Sequence, residues 1–125
     1  MVTRIGNYQL QRYLRHGMMP QLAALYAVIQ VGSVTGAAEV LCVAQPTISG
    51  HLRKLSEALG VALFETQGKR LEPTTAARAL FETAQQVFSA FELCEQRLAN
   101  LRTATSGNSD MNTVPRRTVA FLEDV

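Results

Sequence analysis

The fold class this sequence predicts is all-α in the main, and three observations predict it. Ala and Leu are abundant while aromatics are sparse, 6% with no Trp, a mix that favours helices packed through small and aliphatic side chains. Two helical stretches in the middle of the chain are separated by only three residues. A last, longer stretch carries apolar residues spaced alternately by four and three.

The elements follow in order. Residues 1–19 hold Arg4, Arg12, Arg15 and His16 with no clear apolar face beyond Tyr8, Leu10, Tyr13 and Leu14, and read as a basic, partly helical extension. From Pro20, the residues Leu22, Leu25, Tyr26 and Ile29 fall at i, i+3, i+4 and i+7, one stripe of a helix that Pro20 opens and Gly32 closes. Ser33 is a good N-cap for the next helix, whose inner residues Val34, Ala37, Ala38 and Leu41 are mostly small and let a neighbour approach closely. Cys42, Val43 and Ala44 leave room only for a tight turn. Gln45 and Pro46 then open a third helix, with proline in the first turn where no amide bond is lost. Its buried stripe is Ile48, Leu52, Leu55 and Leu59, and Gly60 ends it.

In "VALFETQGKRLEPT", Leu63 and Phe64, the polar turn at Gly68 and then Leu71 suggest two short strands, a small β-wing. Thr74 or Thr75 caps a long helix in which Leu80, Ala84, Val87, Phe91, Cys94, Leu98 and Leu101 form an a/d seam over about three heptads. That seam is longer than the preceding unit needs for its own core, which points to dimerisation. The sum is a winged helix-turn-helix with a short β-wing, followed by a long dimerisation (linker) helix. The expected domains are a basic extension (1–19), the winged helix-turn-helix (20–73), the linker helix (74–103) and a linker and tail (104–125).

Composition excludes several function classes. An apolar fraction of 47% over 125 residues suits a globular domain, and the net charge of +2 is too small to argue for nucleic acid by itself. Cys42 and Cys94 sit inside helical patterns and read as buried free thiols of a reduced compartment. No apolar run reaches the roughly 18 residues of a membrane span, and the start lacks a signal peptide's apolar core. A cytoplasmic protein is expected.

An active site lacks parts. His16 and His51 have no partners at metal-ligand spacing, and there is no phosphate loop, Ser-centred nucleophile motif or close carboxylate pair. No catalytic residue, metal or cofactor is expected. His51, at the edge of the buried stripe, suits packing or a phosphate contact.

The outer face of the third helix says more. At about 100° per residue, the side opposite Ile48 and Leu52 is built by Pro46, Gly50, Arg53, Lys54 and Glu57, flanked by Thr47 and Ser49. A major groove admits one helix, whose N-terminal residues reach base edges while longer basic ones meet phosphate. Gln45 and Thr47 offer hydrogen bonds to bases, and Ser49 and Arg53 reach bases or backbone. Gly50 lowers helix stability by roughly 1 kcal/mol relative to Ala. It either lets the backbone approach a groove wall or is a tolerated surface position. Lys69 and Arg70 are either a solvated turn or a wing tip on the minor-groove backbone.

Over residues 21 to about 103, the sequence resembles the DNA-binding domain and linker helix of LysR-type bacterial transcriptional regulators. "GSVTGAAEVL" resembles the first helix of the family's motif, "AQPTIS" the opening of its recognition helix, "LG-x-x-LF" the entry to its wing and "L-x-P-T-x-A" the start of its linker helix. The resemblance implies a dimer on a partly palindromic promoter site. It implies Gln45, Pro46, Thr47, Ser49, Gly50 and Arg53 facing the groove, Ser33 and Thr35 on phosphate, and Lys69 and Arg70 in the wing. The implied partners are double-stranded DNA and a second copy, or a higher oligomer, through the linker helix, with no membrane. The sequence departs from the family where Gly50 stands in place of Arg or another long polar residue, Thr66 in place of a usual Arg and Ser56 in place of a usual acidic residue. Such regulators usually continue into an effector-binding domain, and no small-molecule effector site is expected within these 125 residues. The competing reading is an interaction module that pairs with another regulator through its long helix without strong DNA binding of its own.

Overall fold

The computed structural model describes residues 5–104, so most of the expected 104–125 tail and Arg4 lie outside the described residues. Five helices and one hairpin follow one another as α1 (Asn7–His16), α2 (Met18–Val31), α3 (Val34–Leu41), α4 (Gln45–Leu59), β1 (Phe64–Gln67), β2 (Arg70–Pro73) and α5 (Thr75–Ala104). A first compact unit runs through Val87 and a second begins at Phe88.

Glycines divide the helices, Gly32 and Gly60 as expected and Gly17 in addition. Gly17 ends α1 at φ 60 and Gly32 ends α2 at φ 98, left-handed conformations that a side chain would strain. Ser33 caps α3 by accepting the Gly36 amide at 2.9 Å. The tight turn after α3 is made by Cys42 itself, at φ 59 the sole non-glycine residue with positive φ among the described residues. Its amide and that of Val43 close back onto the end of α3 through Glu39 and Ala38 carbonyls.

The core has two parts. Ala24, Ala27 and Val28 of α2, Ala37 and Ala38 of α3 and Ile48 of α4 form one cluster, and the small side chains let the three helices pack closely. Leu25, Leu55, Leu63 and Ala77 form the other, with Leu22, Ile29, Leu59 and Leu80 packed on it. α2 is therefore buried on two sides. The stripe read from the sequence is one of them; the other is mostly alanine, which the periodicity of large residues does not reveal. Tyr26 leaves the aliphatic core to stack on Phe81, with ring centroids 4.7 Å apart and planes 7° from parallel.

Three expectations are corrected. Leu41 is exposed at 36%, because the chain turns away at Cys42 before another element covers it. Cys42 and Cys94 are free, as expected, but exposed rather than buried. The first sits in the turn; the second lies on α5 beyond the residues that reach the core. Pro20 does not open its helix: α2 begins two residues earlier, at Met18, while the partly helical extension is present as α1, which packs against α4.

Candidate nucleic-acid interface

The candidate surface is built on α4, whose inner face is anchored by Ile48 and Leu55, both almost wholly buried. The opposite face is free. Gln45, Pro46, Thr47, Ser49, Arg53 and Lys54 are exposed and Gly50 is half-exposed. The helix starts without a side-chain cap, Pro46 lying in its first turn and the Thr47 and Ile48 amides turning back to the Ala44 carbonyl.

Two of the residues expected on DNA touch each other. Thr35 Oγ1 of α3 donates to Gln45 Oε1 at 3.3 Å across the turn. The contact uses the acceptor end of the Gln45 side chain and leaves its NH₂ group as donor to a base edge or phosphate. Ser33 is likewise half-committed. Its oxygen accepts the Gly36 amide, and its hydroxyl proton remains available to an outside acceptor.

Gly50 stands in open space: a Cβ built there meets nothing within 4 Å. Nothing among the described residues requires a glycine at this position. Gly36 differs, since its Cβ would fall 2.5 Å from Val31 Cγ1 and 2.9 Å from Ser33 Oγ. A side chain at 36 would press on the cap of α3, a constraint that the sequence pattern does not show.

The wing is an antiparallel pair in which Phe64 faces Pro73 and Gln67 faces Arg70. Gly68, at φ 66, and Lys69 make the two-residue turn, so Lys69 and Arg70 stand exposed at its tip. Its base is tied by Thr74, which decides between the two threonines considered for the cap. Thr74 Oγ1 donates to the Ala62 carbonyl at 2.7 Å and accepts the Ala77 amide at 3.1 Å.

Ser56, a departure from the resembled family, has a local task. Its hydroxyl donates to the Val61 carbonyl, and its own carbonyl accepts the Gly60 and Val61 amides, closing the end of α4. Thr66 is exposed on β1 opposite Leu71.

The α5 seam is divided. Ala84 is fully buried and Leu80 packs on the core, so these two side chains are taken up inside the chain. Val87 is half-buried. Phe91, Cys94, Leu98 and Leu101 are exposed, as is Leu93, which the heptad reading omits. Among the described residues, no three His, Cys, Asp or Glu side chains stand together as a metal site, and no helix is long and apolar enough to cross a membrane.

This arrangement matches known proteins. The family model of the bacterial regulatory helix-turn-helix protein, lysR family, matches residues 19–78. The HTH-type transcriptional activator CmpR of Synechocystis is 29% identical over 101 residues, which are 81% of this chain and 33% of CmpR. The regulatory protein NocR of Agrobacterium fabrum is 32% identical over 105 residues, 84% of this chain and 35% of NocR. This chain thus spans about a third of the length of these curated relatives. The crystal structure of the BenM_DBD/benA site 1 DNA complex superposes with a TM-score of 0.62 at 26% identity, covering 66% of this chain and 96% of that one. With its capped helix-turn-helix, its hairpin wing and the long helix that follows, the chain carries over residues 19–78 a helix-turn-helix domain of the bacterial lysR family.

Proposed function

We propose that the chain is the DNA-reading part of a transcriptional regulator and binds a partly palindromic promoter site as a dimer. The observation that carries this reading is the two-sided α4. Its aliphatic side is buried against α2, α3 and the wing entry, while Gln45, Thr47, Ser49 and Arg53 are presented together on the open side. A helix so mounted enters a major groove with its first turns foremost, where side-chain donors meet base edges. Ser33 and Thr35 at the start of α3, Lys54, and Lys69 and Arg70 on the wing supply phosphate contacts on either side. The relatives' regulatory roles and the DNA complex of the similar domain support the same reading.

Pairing runs through half-buried Val87 and the exposed part of the α5 seam, Phe91, Cys94, Leu98 and Leu101. In this reading the protein is not an enzyme, works in the cytoplasm, and takes neither cofactor nor small-molecule effector within this stretch of chain.

Fluorescence anisotropy tests the proposal with a labelled duplex from the region upstream of the protein's own gene, against a scrambled duplex, at two salt concentrations. Preference for the upstream duplex, with affinity falling steeply as salt rises, is the expected result. Equal, weak binding to both duplexes would refute it.

A further inference from the structure

The helix α1 precedes the 19–78 segment that matches the family, and it carries basic residues that the helix-turn-helix does not use. It is fixed beside α4. The Arg12 guanidinium donates to the Ala58 carbonyl at 3.0 Å, and the two helices pack together there. Arg15 and His16 lie three and four residues beyond Arg12, hence on the same face of α1. They line a hollow whose other walls are Gln21 of α2 and Lys54, Glu57 and Ala58 of α4.

The place of this hollow on α4 gives it meaning. Lys54 and Ala58 are one turn apart on the flank of α4, between the buried side of Ile48 and Leu55 and the outward side of Pro46, Gly50 and Arg53. The flanks of a helix lying in a major groove face the sugar–phosphate walls. Arg15, His16 and Lys54 are all exposed. Glu57 is the sole acidic residue in the lining, and Arg15 and Lys54 outweigh it. A site with this charge and position suits an anion with several acceptor oxygens.

We propose that α1 extends the DNA interface, with Arg15 and His16 joining Lys54 to hold a backbone phosphate beside the groove that α4 reads. This rests on the reading of α4 given above. The binding is not base-specific, so it adds affinity and salt dependence without altering sequence choice. Arg15 and His16 also occupy the last turn of α1, where cations favour the helix end. That role by itself leaves DNA binding untouched, and the experiment separates the two.

The full chain, the double variant Arg15→Gln/His16→Gln and the double variant Arg15→Lys/His16→Lys are titrated onto upstream and scrambled duplexes over a salt series. The glutamine variant is expected to weaken both duplexes by the same factor, keep their ratio, and lower the slope of log affinity against log salt by about 1. The lysine variant is expected to restore both affinity and slope. An unchanged slope in the glutamine variant, with the wild type still preferring the upstream duplex, overturns the phosphate contact alone. Absence of any preference in the wild type overturns the reading of α4 and this inference with it.

Discussion

Arg12 and Ala58, 46 positions apart, are joined by a hydrogen bond of 3.0 Å that ties α1 to the last turn of α4. The donor is a cation and the acceptor one of the carbonyls that a helix end leaves unpaired, so charge and geometry agree. Arg12→Ala is expected to destabilise the chain by about 1 kcal/mol. Amide hydrogen exchange should show the loss mainly in residues 7–16, with α4 still protected. Unchanged exchange in α1 would show that other contacts hold it.

Gly50 separates folding from binding. An added methyl meets nothing in the chain and raises helix propensity, so Gly50→Ala is expected to stabilise the fold by roughly 0.5–1 kcal/mol. Close approach of the backbone to a groove wall predicts that the same variant binds the upstream duplex more weakly. Thermal melts and anisotropy on one preparation give both values. A more stable variant with wild-type affinity would make Gly50 a tolerated surface position.

Thr47→Ala and Arg53→Ala should each weaken binding to the cognate duplex by about 1–3 kcal/mol while leaving the melting temperature nearly unchanged. Both side chains are exposed, so no packing is lost. Wild-type affinity in both variants would remove them from the interface.

Ser33 has a folding role and a proposed DNA role on one hydroxyl. Ser33→Ala removes the acceptor for the Gly36 amide and is expected to lower stability by about 1 kcal/mol. Ser33→Thr keeps the cap and should melt close to the wild type. If the alanine variant melts as the wild type does, the cap adds nothing.

Phe91 and Leu98 are exposed on α5, at 60% and 54%. Phe91→Asp/Leu98→Asp is expected to convert a dimer into a monomer in sedimentation experiments and to leave the helical circular dichroism of the preceding domain intact. A dimer that survives would locate the pairing surface elsewhere.

Helix boundaries are legible in this sequence because glycine, proline and serine punctuate it: Gly32, Ser33, Pro46 and Gly60 each stand where an element opens or closes. The wing is legible from Gly68 between two short apolar runs. What periodicity misses is packing by small residues. The alanine side of α2 escapes a search for large apolar stripes, and Ala84 reads as part of an outward seam although it is fully buried. The docking of α1 on α4 also escapes, since Arg12 reaches a backbone carbonyl there and no side-chain pattern encodes a carbonyl. For the candidate site, the outward residues of α4 are readable from angle alone. The Thr35–Gln45 contact is not, because it depends on how closely two helices cross.

Thr74 has a mechanical consequence. A two-stranded hairpin standing alone is marginally stable, yet here its base is pinned. The Thr74 hydroxyl reaches the Ala62 carbonyl, its amide reaches the Leu63 carbonyl, and the same oxygen receives the Ala77 amide. The hairpin is therefore a lever whose fulcrum is one side chain, shared with the first turn of α5. Loss of the Thr74 hydroxyl loosens the hairpin base and uncaps the first turn of α5 in one step.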